Sequence, residues 1–164
     1  LTEALVTADG FLTFQTERLR CALGRAGITQ HKQEGDGATP AGLLPLRRIL
    51  YRADRGPIPR TTLPREPISD ADGWCDDPTH RDYNCQIRLP HPAHHEELWR
   101  RDNLYNLIAV LGWNDSPIER KAGSAIFLHI ARPDYAPTDG CIALPEPDLR
   151  RLLAAGLSAL RVVP

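Results

Sequence analysis

The chain has 164 residues, the length of one domain. Its 20 lysines and arginines nearly balance 21 aspartates and glutamates, a formal net charge of −1, so the basic excess of a general nucleic-acid binder is absent. A hydrophobic fraction of 41% excludes a disordered chain, and the longest apolar run, residues 107–111, falls far short of the ~20 residues of a transmembrane helix.

The 15 prolines exceed the usual ~5% of residues, which disfavours a helical bundle and favours strands joined by loops. No signal peptide is visible. The absence of methionine, even at the start, predicts a chain that begins inside a longer or processed product, so the lack of a visible signal says nothing about compartment.

In chain order, Asp9-Gly10 separates Leu5-Val6 from residues 11–14 and predicts a hairpin. Leu19, Cys21 and Leu23 alternate with Arg18, Arg20 and Ala22, as in a half-buried strand, with Cys21 in the core. Residues 35–42 read as a loop and 43–51 as a returning strand. Prolines at seven positions interrupt residues 56–96 and predict a long loop or lid with few sustained strands. A helical turn is expected at 96–101, and buried strands at 104–113 and 124–130. Residues 147–155 should form a helix: Pro147 suits its first turn, Asp148 its dipole, and Leu149, Leu152 and Leu153 share one face. Gly156 marks its stop, and residues 160–163 suggest an edge strand.

The chemistry concentrates in residues 124–144. His129 lies near a strand end, and Cys141 follows in the turn Thr138-Asp139-Gly140-Cys141. Pro133 and Pro137 shape a loop that can fold back and bring imidazole to thiol. A nearby imidazolium, or converging N–H groups, would supply thiolate from a thiol of ordinary pKa ~8.5. Gly140 permits close backbone approach, and the N–H groups of Gly140 and Cys141 can hold an oxyanion. A cysteine after glycine is also a common small core residue, and a strand histidine is often structural; spacing leaves both readings open.

The run from His129 to Thr138-Asp139-Gly140-Cys141-Ile142 resembles the signature of the L,D-transpeptidase catalytic domain family (YkuD-type). Residues 24–42, with Lys32, Gly35-Asp36 and Thr39-Pro40, resemble the family's K-x-G-D-x-x-T-P-x-G loop. Gly73-Trp74-Cys75-Asp76-Asp77-Pro78 with Tyr83-Asn84 is similar to a block in a short Gram-negative subgroup. The chain departs from the family with Ile130 where glycine often follows the histidine, with Ala143 where many members carry arginine, and with a short His-to-Cys spacing.

The resemblance implies one catalytic domain over residues 1–164, mainly β: a sandwich of antiparallel strands with a short helix after the nucleophile and the Pro-rich insertion 56–96. It implies a periplasmic enzyme acting on peptidoglycan stem peptides, with no metal or other cofactor. Cys141 would attack the carbonyl of an L-configured donor residue and His129 would move the protons. The family's third member, a carbonyl that orients the histidine, maps only loosely near Ile130. A diaminopimelate amine would resolve the thioester. The missing arginine and the proline-rich segment favour the first-position L-alanine as donor, giving 1,3-crosslinks, over the commoner 3,3-reaction. Alternatives are an L,D-carboxypeptidase or endopeptidase of the same fold, and an idle peptidoglycan-binding module.

Trp74, Asp76, Tyr83 and Asn84, with Thr138 and Asp139 beside the nucleophile, are candidate substrate-binding residues; the alternative is a loop pinned by a buried tryptophan. Cys75 and Cys85 are either a disulfide pair or free thiols. The four cysteines, Cys21, Cys75, Cys85 and Cys141, lack zinc-framework spacing, and His80, His91, His94 and His95 with Cys85 match no metal framework and read as loop histidines. Glu34-Gly35-Asp36-Gly37 lacks the ligand pattern of a calcium loop and reads as a turn beside the site.

Overall fold

The computed structural model describes residues 2–164. Strands β1 (Glu3–Thr7), β2 (Phe11–Phe14) and β3 (Glu17–Arg20) form an antiparallel meander, with the expected hairpin at Asp9-Gly10. The short β4 (Ile28–Thr29) and β5 (Thr39–Pro40) pair in parallel, and β6 (Gly42–Tyr51) follows directly. β7 (Arg65–Pro67) pairs in parallel along β6. β8 (Asp72–Cys75) is the centre of a small sheet flanked by β9 (Gln86–Arg88) and β10 (His95–Glu97). β11 (Leu107–Leu111), β12 (Phe127–Ile130), β13 (Ile142–Leu144), the only helix among the described residues, α1 (Glu146–Ala154), and β14 (Ala159–Val162) complete the chain.

The main sheet runs β13-β12-β11-β6-β14-β1-β2-β3. Beyond β3 the chain bends so that Ala22 meets Ala143 of β13. The two residues exchange both backbone hydrogen bonds, at 2.9 and 3.0 Å, and so join the ends of the sheet into a nearly closed barrel. The fold is thus mainly β with one short helix, as expected. Its main sheet is mixed rather than all antiparallel, with parallel pairs at β1–β14, β12–β13 and β6–β7.

Two-residue periodicity sorts the core. Leu107, Ala109 and Leu111 of β11 face the barrel interior with Leu128, Ile130 and the helix leucines. Ile108 and Val110 face the other way, with Leu50 and Phe127, and are covered by Trp74, Leu98 and Tyr105. Covered on both faces, β11 is apolar throughout. Helix α1 buries Leu149, Leu152 and Leu153, and its end is a Schellman motif: Gly156 N–H reaches Leu153 O, and Leu157 N–H reaches Leu152 O at 3.0 Å. Gly156 takes φ +94°, which fits the role assigned to it from the sequence.

Three expectations are corrected. Residues 160–163 were expected at an edge, yet β14 is central, between β1 and β6. Its Ala159, Leu160 and Val162 are buried, and the antiparallel β6 and parallel β1 satisfy its backbone. Residues 96–101 form no helical turn, because Glu96 continues β10 and pairs with Trp74. Residues 56–96 are not a bare loop: strands of three or four residues form there, with Pro67 at the end of β7 and the other prolines outside the strands.

That lid is fastened at Asn84. Its Oδ1 accepts from Trp74 Nε1 and Ala125 N, both at 3.0 Å, and its Nδ2 donates to the carbonyls of Trp113 and Asn114. Asn84 sits at φ +58°, a region asparagine tolerates better than most residues. Trp74 then packs edge-on to Phe127, ring centroids 5.0 Å apart. Asn84→Ala strands two buried donors and two carbonyls. It is expected to lower the unfolding free energy by about 3 kcal/mol in urea denaturation. A loss below about 1 kcal/mol would mean that apolar contacts alone hold the lid.

Candidate active site

His129 shares the lid-facing side of β12 with Phe127. β13 runs parallel to β12 with His129 opposite Ala143, so Cys141, two residues earlier, falls on that same side. The turn before Cys141 is stitched to the chain beyond β3. Thr138 N–H donates to Leu23 O, and Arg25 N–H donates to Thr138 O, both at 2.9 Å. Within the turn Thr138 Oγ1 donates to Cys141 O at 2.7 Å and accepts from Gly140 N–H at 3.1 Å. Gly140, at φ +141°, has no room for a side chain: a Cβ would lie 2.8 Å from Ala38 O and 3.3 Å from Lys32 Nζ. Lys32 is buried beneath the turn, its Nζ 2.6 Å from Asp36, whose carboxylate also takes the N–H groups of Gln33 and Ala38. The Lys32–Pro40 loop is therefore the floor under the turn that carries Cys141.

Cys141 and His129 are both buried and open onto one cleft of about 720 Å³. The Cys141 thiol donates to Ala125 O at 3.2 Å and accepts from Phe127 N–H at 3.3 Å. His129 Nδ1 donates to Ile130 O at 2.9 Å, leaving Nε2 as the basic nitrogen. The orienting carbonyl is thus that of Ile130. Tyr105 lies edge-on to the imidazole, centroids 5.2 Å apart.

The resting pair is neutral. Burial, then the negative charge of Glu96, push the Cys141 thiol up to about 12; the Phe127 N–H and Lys32 pull the other way. Burial holds His129 down to about 4, with the Arg100 and Arg132 charges adding to it and the Ile130 carbonyl opposing. Burial disfavours an imidazolium at His129, because a charged ring costs more here than in water. Such a pair can still act by passing the thiol proton to imidazole as the sulfur attacks.

Of the other candidates, Asp76, Thr138 and Asp139 line the cleft, while Trp74, Tyr83 and Asn84 lie outside it. Asp76 pairs with His94 at 2.5 Å, and Asp139 is an exposed partner of Arg25. Tyr83 Oη donates to Glu34 at 2.7 Å and accepts from Gly123 N–H, and Ser124 also donates to Glu34. Tyr83 and Asn84 therefore hold the residues leading into β12. The cleft also contains Glu96, Arg100, Tyr105 and Arg132, which sequence spacing did not mark: Tyr105 sits within an apolar stretch and Glu96 within an expected helical turn. Arg132 makes no ion pair among the described residues, whereas Arg25, Lys32 and Arg100 are each paired.

All four cysteines are free thiols. His80, Asp82 and His91 bring three ligand atoms within 4.8 Å of one another, a cluster that linear spacing did not mark. Yet backbone N–H groups of Asp82 and Ala93 point at Nδ1 of His80 and His91, which places each neutral ring's proton on Nε2. His91 Nε2 donates that proton to Asp82 at 3.0 Å, so the cluster is a hydrogen-bonded clasp within the lid. No described helix is long and apolar enough to cross a membrane.

A thiol with pKa about 12 beside an imidazole with pKa about 4 gives a specific pH response. The thiolate fraction grows with pH, so alkylation of Cys141 by iodoacetamide is expected to keep rising from pH 6 to about pH 9. A plateau beginning near neutrality, read from the mass of the Cys141 peptide, would show a resting thiolate–imidazolium pair instead.

The L,D-transpeptidase catalytic domain model (YkuD) matches residues 4–162. No curated protein and no solved structure matches the chain. With its Cys141–His129 cleft inside a match that spans nearly the whole chain, the protein belongs to the YkuD family of L,D-transpeptidase catalytic domains.

Proposed function

We propose that the protein is a periplasmic, cysteine-dependent peptidoglycan L,D-transpeptidase that takes the stem's first-position L-alanine as acyl donor and a diaminopimelate amine as acceptor. The observation that carries this reading is the shared cleft of the Cys141 thiol and His129, with the Ile130 carbonyl leaving Nε2 unprotonated. In the first step the thiol proton passes to Nε2 as sulfur attacks the donor carbonyl. The Cys141 N–H, on a turn held rigid by Thr138, is the donor offered to the oxyanion. The imidazolium then protonates the leaving amine and a thioester remains. In the second step the acceptor amine attacks the thioester carbon, His129 takes a proton from that amine, and the proton passes to the departing sulfur, leaving an amide and the free thiol.

Two features support the choice of donor. Ala143, lining the cleft and almost fully buried, offers no charge to a terminal D-alanine carboxylate at the place where many family members carry arginine. The lid, fixed by Asn84 and Trp74, gives the cleft a set shape, which suits selection by the peptide's path over recognition of its end. The unpaired Arg132 suits the carboxylates of a stem peptide in either reaction.

Incubation with purified sacculi, followed by tandem mass spectrometry of dimeric muropeptides, tests this. Dimers whose donor stem has lost everything after L-alanine are expected; dimers joining two diaminopimelate residues would overturn the donor assignment. Cys141→Ala is expected to abolish crosslinking in a folded protein. His129→Ala should lower turnover by roughly 10²–10⁴, and a loss below about tenfold would mean another group serves as base.

A further inference from the structure

Glu96 stands in the cleft with the Arg100 charge nearby but outside ion-pair distance. It lines the same cleft as Cys141 and His129, is partly buried, and forms no ion pair among the described residues. Its one hydrogen bond is from Tyr105 Oη to Oε1 at 2.7 Å. Arg100, which shares the cleft, is committed to Asp102 through two bonds of 2.9 and 2.7 Å. Burial raises the Glu96 carboxyl above the ordinary glutamate range, and its charge in turn raises the Cys141 thiol. A carboxylate here opposes thiolate formation and so works against the first half-reaction. The same charge is an asset once a cation must approach the thioester.

The acceptor is such a cation: a primary aliphatic amine at neutral pH is an ammonium ion, and must lose a proton before it can attack. We infer that Glu96 binds the ammonium group of the acyl acceptor and takes its first proton, an assignment that rests on the transpeptidase reading above. Tyr105 fixes Oε1, and Oε2 takes no hydrogen bond among the described residues. Its ring also lies edge-on to the His129 imidazole, so carboxylate and base share one aromatic support.

The protons balance. The acceptor enters as R–NH₃⁺, gives one proton to the Glu96 carboxylate, and attacks the thioester carbon as R–NH₂. As the C–N bond forms and the C–S bond breaks, the second proton passes through His129 to sulfur. Amide and thiol result, and the proton on Glu96 returns to solvent.

The test compares two acceptors on the preformed acyl-enzyme of the full chain, followed by mass spectrometry. One is a stem tripeptide carrying diaminopimelate, an ammonium at neutral pH; the other is hydroxylamine, uncharged there. Glu96→Gln is expected to slow aminolysis by the tripeptide roughly tenfold to a hundredfold. Hydroxylamine should react within about threefold of wild type, and acyl-enzyme should still form. Glu96→Asp, which keeps the charge, should retain the preference for the tripeptide. Unchanged tripeptide aminolysis in Glu96→Gln, equal losses with both acceptors, or loss of acylation would overturn the assignment of Glu96. A wild-type chain that never acquires the donor's mass at Cys141 would overturn the transpeptidase reading, and this inference with it.

Discussion

The structure depends on the pairing of Ala22 with Ala143. By this bridge the two ends of the main sheet meet, and β13 gains a neighbour on the side away from β12. The adjoining bonds between Leu23, Arg25 and Thr138 extend the seam along the turn before Cys141. A nucleophile on a free loop would sample many positions. Here backbone hydrogen bonds hold the turn on one side, and the parallel register with His129 fixes it on the other. Gly140 is required for the same reason, since the turn presses against Ala38 and Lys32 more closely than a Cβ allows.

Burial sets the electrostatics of the cleft. Desolvation penalises both thiolate and imidazolium, which favours the neutral forms of Cys141 and His129. Backbone groups that need no reorganisation, the Phe127 N–H at sulfur and the Ile130 carbonyl at Nδ1, offset part of that penalty. The charged side chains are mostly satisfied by one another at the rim and floor. Among the described residues that line the cleft, Arg132, Glu96 and Glu34 have no ion partner, and Glu34 is held by the hydroxyls of Tyr83 and Ser124 instead.

The proline-rich segment has a defined architecture despite its composition. Short strands fit between prolines, and side-chain hydrogen bonds replace the long ladders that proline forbids. Asn84 is the clearest case, because one amide satisfies groups from β8 and from both ends of the β11–β12 connection. The lid thereby covers Ile108, Val110 and Phe127, whose exposure would cost about 1.5–3 kcal/mol each.

The sequence by itself determined the elements whose signals are local. The Asp9-Gly10 turn signal marked the hairpin of β1 and β2, and a run apolar on both faces marked β11. Proline, acid and glycine positions marked α1 and its end. The order of His129, the Thr138–Cys141 turn and the Lys32–Pro40 loop identified the family, because these residues lie in short contiguous blocks. Tertiary structure alone decided what depends on distant pairing. β14 reads as an edge strand because four residues do not reveal that β1 and β6 flank it. Trp74, Tyr83 and Asn84 look like a cleft lining because polar and aromatic groups serve ligands and lid equally well, and only their partners separate the two. Glu96, Tyr105 and Arg132 carry no signal in spacing: they meet Cys141 through the β8–β10 pairing and the turns beside β11 and β12. The charge state of the Cys141–His129 pair was equally out of reach, since it is set by how much water the fold excludes.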